Sequence, residues 1–357
     1  MNWKQMGAGL AVIYGVMALM PLFFGGVDHI MHILIICLIW AVVAACWDLI
    51  MGFAGIFSFG QVAFFVIGAY ASAIFSTQHG VPPLVAIPLA GGVTAAAGAL
   101  VAMPCLKLKG AYIALVTFAV HMILEPFLKG NMGRAIGSGG SQGILTIPPI
   151  EMFGLPFNPD HKVAVFYLAL ALAAVCSAII LLVIRSFWGT AFLALKDSED
   201  FAASLGVSAF TYKLGVFALT SFLTGVAGGF YGHYVGMLST RMLGIDLFVT
   251  LMVMLVIGGI GKFPGAILGA ILTVSLNELL APLGPYRPMI LGALVVILVL
   301  LLPDGVIGLA ERLMGKLGRS LARPEAEPIP SATGAIPPAA GAAPPADGNS
   351  GEKTLSG

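Results

Sequence analysis

The chain has 357 residues, 59% of them hydrophobic and only 9% charged, with a net charge of +1. Soluble domains carry about 25% charged residues, so this composition excludes an ordinary water-soluble enzyme, and the balanced charge offers no basic field for nucleic acid. Apolar runs of about 20 residues, each long enough to cross ~30 Å of hydrocarbon as a helix, recur along the chain, which reads as an all-α polytopic membrane protein.

The N-terminal stretch has one lysine and then a long apolar run. No small-residue cleavage site follows and further spans come at once, so it reads as a retained first span rather than a secretory leader. Hydropathy places about ten transmembrane helices, near residues 7–25, 33–50, 54–75, 84–106, 111–128, 163–184, 214–236, 246–261, 264–281 and 288–302. The cysteines, Cys37, Cys46, Cys105 and Cys176, all fall in apolar runs without paired spacing and read as membrane-buried thiols. Asp48 follows Trp47 near the end of the second span and reads as an interface anchor.

Glycine clusters suggest broken or re-entrant helices near Gly52–Gly60 and Gly258–Gly265. Irregular backbone at membrane depth is tolerated only inside protein or along a cavity. The two clusters also echo each other, Gly52-Phe-Ala-Gly55-Ile-Phe57 against Gly258-Gly-Ile-Gly261-Lys-Phe263, which suggests two related halves with a transport path at their junction. The second cluster lacks the hydroxyl residue and spacing of a phosphate loop.

His121 and Glu125 stand four apart on one helix face, as a polar rim near a helix end or, in the sharper reading, a proton relay. Asn277 and Glu278 invite the rim reading too. The connection 129–162 carries Ser138-Gly-Gly-Ser-Gln142-Gly143, read as a turn or a backbone cradle for solute. The connection 185–213 contains a helical stripe over Leu193–Leu205, with Leu195, Phe201, Ala202 and Leu205 on one face and Gly206 as its stop. Gly228, Gly232 and Gly236, and likewise Gly261, Gly265 and Gly269, are spaced by four and suit close helix packing. No HExxH or GxSxG motif supports an intramembrane enzyme.

With an even number of spans, twelve of the 17 Lys and Arg fall on the side holding Lys4, Lys107, Arg185, Lys196, Lys213 and Lys262. Five fall on the side of Lys129, Arg134, Lys162, Arg241 and Arg287. By the positive-inside rule both termini are cytoplasmic. The domain plan is a transmembrane permease domain over 1–320, with a cytoplasmic loop at 185–213 and a periplasmic loop at 129–162. A Pro/Ala-rich tail at 321–357 is expected to be disordered.

GFAGIFSFGQVAFFVIGAYASAIF at 52–75, LKLKGAYIALVTFAV at 106–120, GSGGSQGI at 137–144, the segment 189–232 and GGIGKFPGAILGA at 258–270 occur in the order seen in the branched-chain amino-acid ABC transporter permeases. The chain resembles that family over roughly residues 30–305, and its LivM-type branch more than its LivH-type branch. The resemblance implies a permease subunit of the bacterial inner membrane that carries leucine, isoleucine, valine or related amino acids inward. It implies a second homologous LivH-type permease subunit, two cytoplasmic ATPase subunits that use ATP and Mg, and a periplasmic substrate-binding protein. This chain itself is expected to bind no cofactor or metal and to have no catalytic residues. Lys196, Asp197, Glu199, Asp200, Ala203, Leu205 and Gly206 occupy the place of the ATPase-coupling loop. Ser58, Gln61, Tyr112, Thr117, His121, Glu125, Ser138 and Gln142 are candidates for the translocation path. A urea or short-amide importer and an ion-coupled secondary transporter built on His121 and Glu125 stay open as alternatives.

Overall fold

The computed structural model describes residues 3–108, 110–152, 155–157 and 162–287, together with scattered positions between 289 and 308. The expected span at 288–302 and the tail at 321–357 lie largely or wholly outside the described residues. Among the described residues, seven helices are long and apolar enough to cross a membrane, and two shorter apolar helices accompany them. The all-α polytopic architecture is thus established.

The long helices are α1 (Trp3–Phe24), α2 (Asp28–Asp48), α3 (Gln61–His79), α4 (Pro83–Cys105), α5 (Ala111–Lys129), α7 (Lys162–Arg185) and α10 (Ala209–Val235). The shorter pair is α11 (Ile245–Gly258) and α12 (Gly265–Leu279), and three brief helices, α6 (Asn131–Ala135), α8 (Phe187–Asp197) and α9 (Glu199–Ser204), lie in the connections. Consecutive spans run in opposite directions, so the ends of α2, α4, α7 and α11 gather at one end of the bundle with the starts of α3, α5, α10 and α12. This is called here the α8–α9 end. A Lys162–Asp28 ion pair at 3.4 Å and a His29–Glu278 pair at 3.2 Å tie elements together at the other end.

Helix α2 is the axis. It is apolar all round, as a helix enclosed by others must be, and is buried continuously from Cys37 to Asp48. Helix α1 lies at the periphery, with Leu22 and Phe23 exposed, and is pinned to α7 by the Tyr14 hydroxyl, which donates to the Ala173 carbonyl at 3.0 Å and lies 2.6 Å from Ser177. All four cysteines are buried free thiols.

Helices α3, α4 and α10 pack backbone to backbone. A Cβ at Gly68 would lie 2.3 Å from the Gly225 carbonyl oxygen, and one at Gly228 would lie 2.0 Å from that of Phe65. In lipid there is little hydrophobic drive between helices, so such close approach supplies the dispersion contacts that hold them. Gly265 and Gly269 do the same for α11 and α12, against the Gly258 and Met254 carbonyls.

The two expected glycine ladders therefore need correction. Gly228 packs tightly, but a Cβ at Gly232 would make only ordinary contact, and Gly236 is the left-handed cap that ends α10 (φ 76°). Gly261 precedes α12 and lies in the break (φ 76°). Spacing alone reveals neither where a helix stops nor how near its neighbour comes, so close helix packing holds at Gly228, Gly265 and Gly269.

The connection between α5 and α7 is tied down at the far end. Ile144 pairs with Leu238 in a short bridge, the Ile147 N–H donates to the Gly236 carbonyl at 3.0 Å, and a small hairpin joins β1 (Ile150–Met152) to β2 (Leu155–Phe157). His233 links both parts, with Nδ1 2.7 Å from the Pro148 carbonyl and Nε2 2.9 Å from Ser72 Oγ.

Candidate functional site

Both expected helix breaks exist, and they lie against each other. After Asp48 the helix widens into a π-turn, Leu49–Phe53, and residues 54–60 leave helical geometry before α3 begins at Gln61. The second break runs from Gly259 to Pro264 between α11 and α12. A Cβ at Gly52 would fall 2.5 Å from the Gly261 nitrogen and 2.6 Å from its Cα. Only glycine at 52 permits that contact.

Unwound backbone in a buried place must find partners, since each unmet group costs about 1–3 kcal/mol. Several of the partners here are side chains from other elements. Asp48 Oδ1 accepts from the Gly261 N–H at 2.6 Å. Trp47 Nε1 donates to the Ser58 carbonyl at 2.6 Å, and the Phe59 N–H donates to Thr117 Oγ1 at 2.8 Å. Lys196 Nζ donates to the Gly52 carbonyl at 2.7 Å. Within the segment, the Ala54 and Ile56 N–H groups reach the Leu49 and Ile50 carbonyls.

Asp48 is fully buried, which corrects its reading as an interface anchor. Hydropathy locates a residue along its helix but is blind to what packs beside it.

Beside the first break sits an aromatic cluster. Phe59 meets Trp47, Phe118 and Phe248 edge-on at centroid distances of 6.4, 6.5 and 5.4 Å, and His121 lies 6.1 Å from Phe118 and 6.0 Å from Phe248. His121 is fully buried, and neither ring nitrogen makes a well-formed hydrogen bond among the described residues, although the Leu243 backbone runs alongside.

Of the eight path candidates, Ser58, Gln61, Thr117 and His121 gather at this break. Gln61 Nε2 donates to Thr224 Oγ1 at 2.6 Å, tying the start of α3 to α10. The other four lie elsewhere. Tyr112 is exposed on α5, Glu125 is paired with Lys129 at 2.6 Å, Ser138 donates to the Leu128 carbonyl at 2.7 Å, and Gln142 is exposed. Glu125 thus pairs with Lys129, and neither His121 ring nitrogen has a well-formed hydrogen bond to it. In the 138–143 stretch the Gly140 N–H turns onto Ser138 Oγ and the Gly143 N–H onto the Gly140 carbonyl. This stretch is a tight turn.

The expected single helix over Leu193–Leu205 is two. Ser198 is extended (φ −157°, ψ 109°), ends α8, and caps α9 by accepting from the Phe201 N–H at 3.3 Å. Serine offers a side-chain acceptor that competes with helix continuation. The kink splits the apolar stripe, for Leu195 and Ala202 are buried whereas Phe201 and Leu205 are 65% and 69% exposed. Gly206 (φ 85°) closes α9 in a Schellman arrangement, with its own N–H on the Ala203 carbonyl and that of Val207 on the Ala202 carbonyl. Lys213 of α10 holds α9 through Glu199 at 2.6 Å. Asp197 and Asp200 are exposed, as is Ala203.

Between α8–α9 and the first break lies a cavity of about 280 Å³, lined by Ala54–Phe57, Leu108, Gly110, Ile113, Leu195–Asp200 and Lys213. The loop and the break therefore share one space. The sequence signalled both parts separately, but nothing in it marked Asp48, Trp47 and Thr117 as the residues that hold the break.

Thr117 gives a direct check on this frame. Thr117→Val removes the acceptor of the Phe59 N–H and is expected to lower stability in detergent by about 1–3 kcal/mol, whereas Thr117→Ser keeps it. Equal melting temperatures for both variants and the parent would contradict the assigned role.

Comparison with known proteins places these features in context. Residues 29–302 match the family described as "Branched-chain amino acid transport system / permease component". The chain is 29% identical over 291 residues to the high-affinity branched-chain amino acid transport system permease protein LivM of Salmonella typhimurium, covering 76% of this chain and 68% of that protein. The LivM protein of Escherichia coli gives the same identity and coverage. No solved structure matches the chain.

Proposed function

The chain belongs to the branched-chain amino acid transport permease family, and on that premise we propose that it forms one half of the membrane path of an ATP-driven importer for leucine, isoleucine and valine. The observation that carries this reading is the placement of the α8–α9 loop directly on the first of the two helix breaks. A passive pathway moved from outside needs an input element touching the path, and this contact supports that role.

In this reading the α8–α9 end is cytoplasmic, the membrane is the bacterial inner membrane, and one of the two ATPase subunits seats on the exposed Phe201 and Leu205 with Asp200 at the rim. The chain has no ATP chemistry of its own. A homologous second permease completes the path, and a periplasmic receptor delivers solute at the end formed by the 129–162 connection. Closure of the ATPases on nucleotide would move α8–α9 and switch the path between outward- and inward-facing states. A path lined by aromatic and small side chains suits an apolar amino acid, whose carboxylate and ammonium groups would be met by backbone dipoles rather than fixed charges.

The test is reconstitution of the complete importer in liposomes. Leucine uptake is expected to require ATP and the receptor and to survive a protonophore. Uphill accumulation by this chain alone on an ion gradient would overturn the proposal, and transport of urea in place of leucine would reassign the solute. In the same system the Phe201→Asp/Leu205→Ser pair is expected to weaken ATPase co-purification by about tenfold or more, as loss of a central apolar anchor does. Undiminished co-purification would remove these residues from the ATPase contact.

A further inference from the structure

The bond from Lys196 to the Gly52 carbonyl joins two parts of the chain that are 144 residues apart. Gly52 is also the residue on which the two breaks meet, since its Cα lies against the Gly261 backbone. On one flank Asp48 holds the Gly261 N–H at 2.6 Å. On the other the lysine stem lies over Gly55, where a Cβ would come 2.7 Å from Lys196 Cγ. Asp48 and Lys196 are within electrostatic reach of each other. The order across the site is therefore loop helix, lysine, first break, second break, with the carboxylate binding the two breaks together.

Lys196 stands on the last turn of α8, immediately before the extended Ser198 at which α8 and α9 separate. A movement of α9 about the extended Ser198 would act first on that turn. An ammonium on a flexible stem keeps or releases one carbonyl over a small change in position. A carbonyl released from it must be met by water from the adjoining cavity, which Lys196 also lines. The bond is thus placed to be made in one state of the loop and broken in another.

We infer that Lys196 is a positioning residue for transport, a latch that transmits movement of the α8–α9 loop to the paired helix breaks through its hydrogen bond to the Gly52 carbonyl. This rests on the importer reading. It adds to that reading a specific residue and a specific bond as the point of transmission. Lysine serves here as a donor, and the group that accepts from it is backbone, so the acceptor survives substitution of any side chain nearby.

The experiment uses the whole importer in liposomes with leucine, measuring uptake and ATP hydrolysis together. Lys196→Met keeps the stem and removes the donor. It is expected to reduce leucine carried per ATP hydrolysed by about tenfold, the range of one charge-assisted hydrogen bond, with the complex still assembled. Lys196→Arg, which can still donate, recovers most of the coupling. The double variant Lys196→Met/Asp48→Asn separates a latch from simple charge compensation. It removes the carboxylate charge along with the ammonium, and coupling is expected to stay low.

Full coupling in Lys196→Met, or its restoration in the double variant, overturns the latch while leaving the importer reading intact. Absence of ATP-driven uptake in the parent protein overturns both. Should Lys196→Met fail to assemble, Phe57→Cys reads the same movement in an otherwise unaltered complex. Phe57 lines the cavity and is exposed, and the native cysteines are buried. Its labelling by a membrane-impermeant maleimide is expected to differ between nucleotide-free and nucleotide-trapped complexes, and identical rates overturn the latch.

Discussion

Asp48→Ala is expected to destabilise the permease by about 1–3 kcal/mol through the Gly261 N–H alone, the cost of a buried donor left without its acceptor. The effect on transport is expected to be larger than the effect on stability. Asp48 accepts from the Gly261 N–H of the second break, and it comes from the helix that leads into the first. Without it, movement of one break no longer carries the other. Asp48→Asn retains an oxygen at the same place and should preserve the bond, so it is expected to keep most of the uptake. The pair is read by melting temperature in detergent and by ATP-driven leucine uptake in liposomes. Comparable uptake in Asp48→Ala and the parent would show that the two breaks do not act together.

Gly228→Ala and Gly232→Ala are expected to differ sharply although they are one helical turn apart. The new methyl at 228 would sit 2.0 Å from the Phe65 carbonyl oxygen, where backbone cannot yield without parting α3 from α10. Overpacking of this kind costs about 1–3 kcal/mol and can exceed that when backbone is the obstacle. At 232 the same methyl would lie 3.5 Å from the Ala69 carbonyl, an ordinary contact. It is expected to be neutral, or to gain a few tenths of a kcal/mol from helix propensity. Thermal unfolding of the two purified variants distinguishes them, and equal melting temperatures would refute the close approach of α3 and α10.

The difference between those two glycines illustrates what a sequence pattern carries. A four-residue spacing marks a smooth helix face, and such a face did turn out to be used at Gly228, Gly265 and Gly269. It does not say how near the partner backbone comes. A comparably close contact pairs Gly68 with Gly225, and that pairing carries no spacing signal, because its two glycines belong to different helices. The stripe over Leu193–Leu205 behaves likewise. Its periodicity is real, but Ser198 is free to cap a new helix, so half of the stripe packs inward and half is left for a partner.

The path candidates divide for a related reason. Ser58, Gln61, Thr117 and His121 converge because they belong to segments that pack around the same break. Tyr112 lies on the same helix as Thr117, five residues away, which puts it on another face. A family-like segment identifies which stretch matters and leaves open which side of its helix faces the site.

By itself the sequence determined that this chain crosses a membrane many times, where it is broken by glycine, and which family it joins. Each follows from composition and short-range pattern, because lipid requires long apolar helices and glycine interrupts them. Tertiary structure alone decided that the two breaks meet, that Asp48 and Thr117 satisfy them and that Lys196 reaches them. Those are pairings between residues as far as 213 positions apart. They depend on how helices are arranged side by side in the bundle, and local periodicity contains no information about a helix's neighbours.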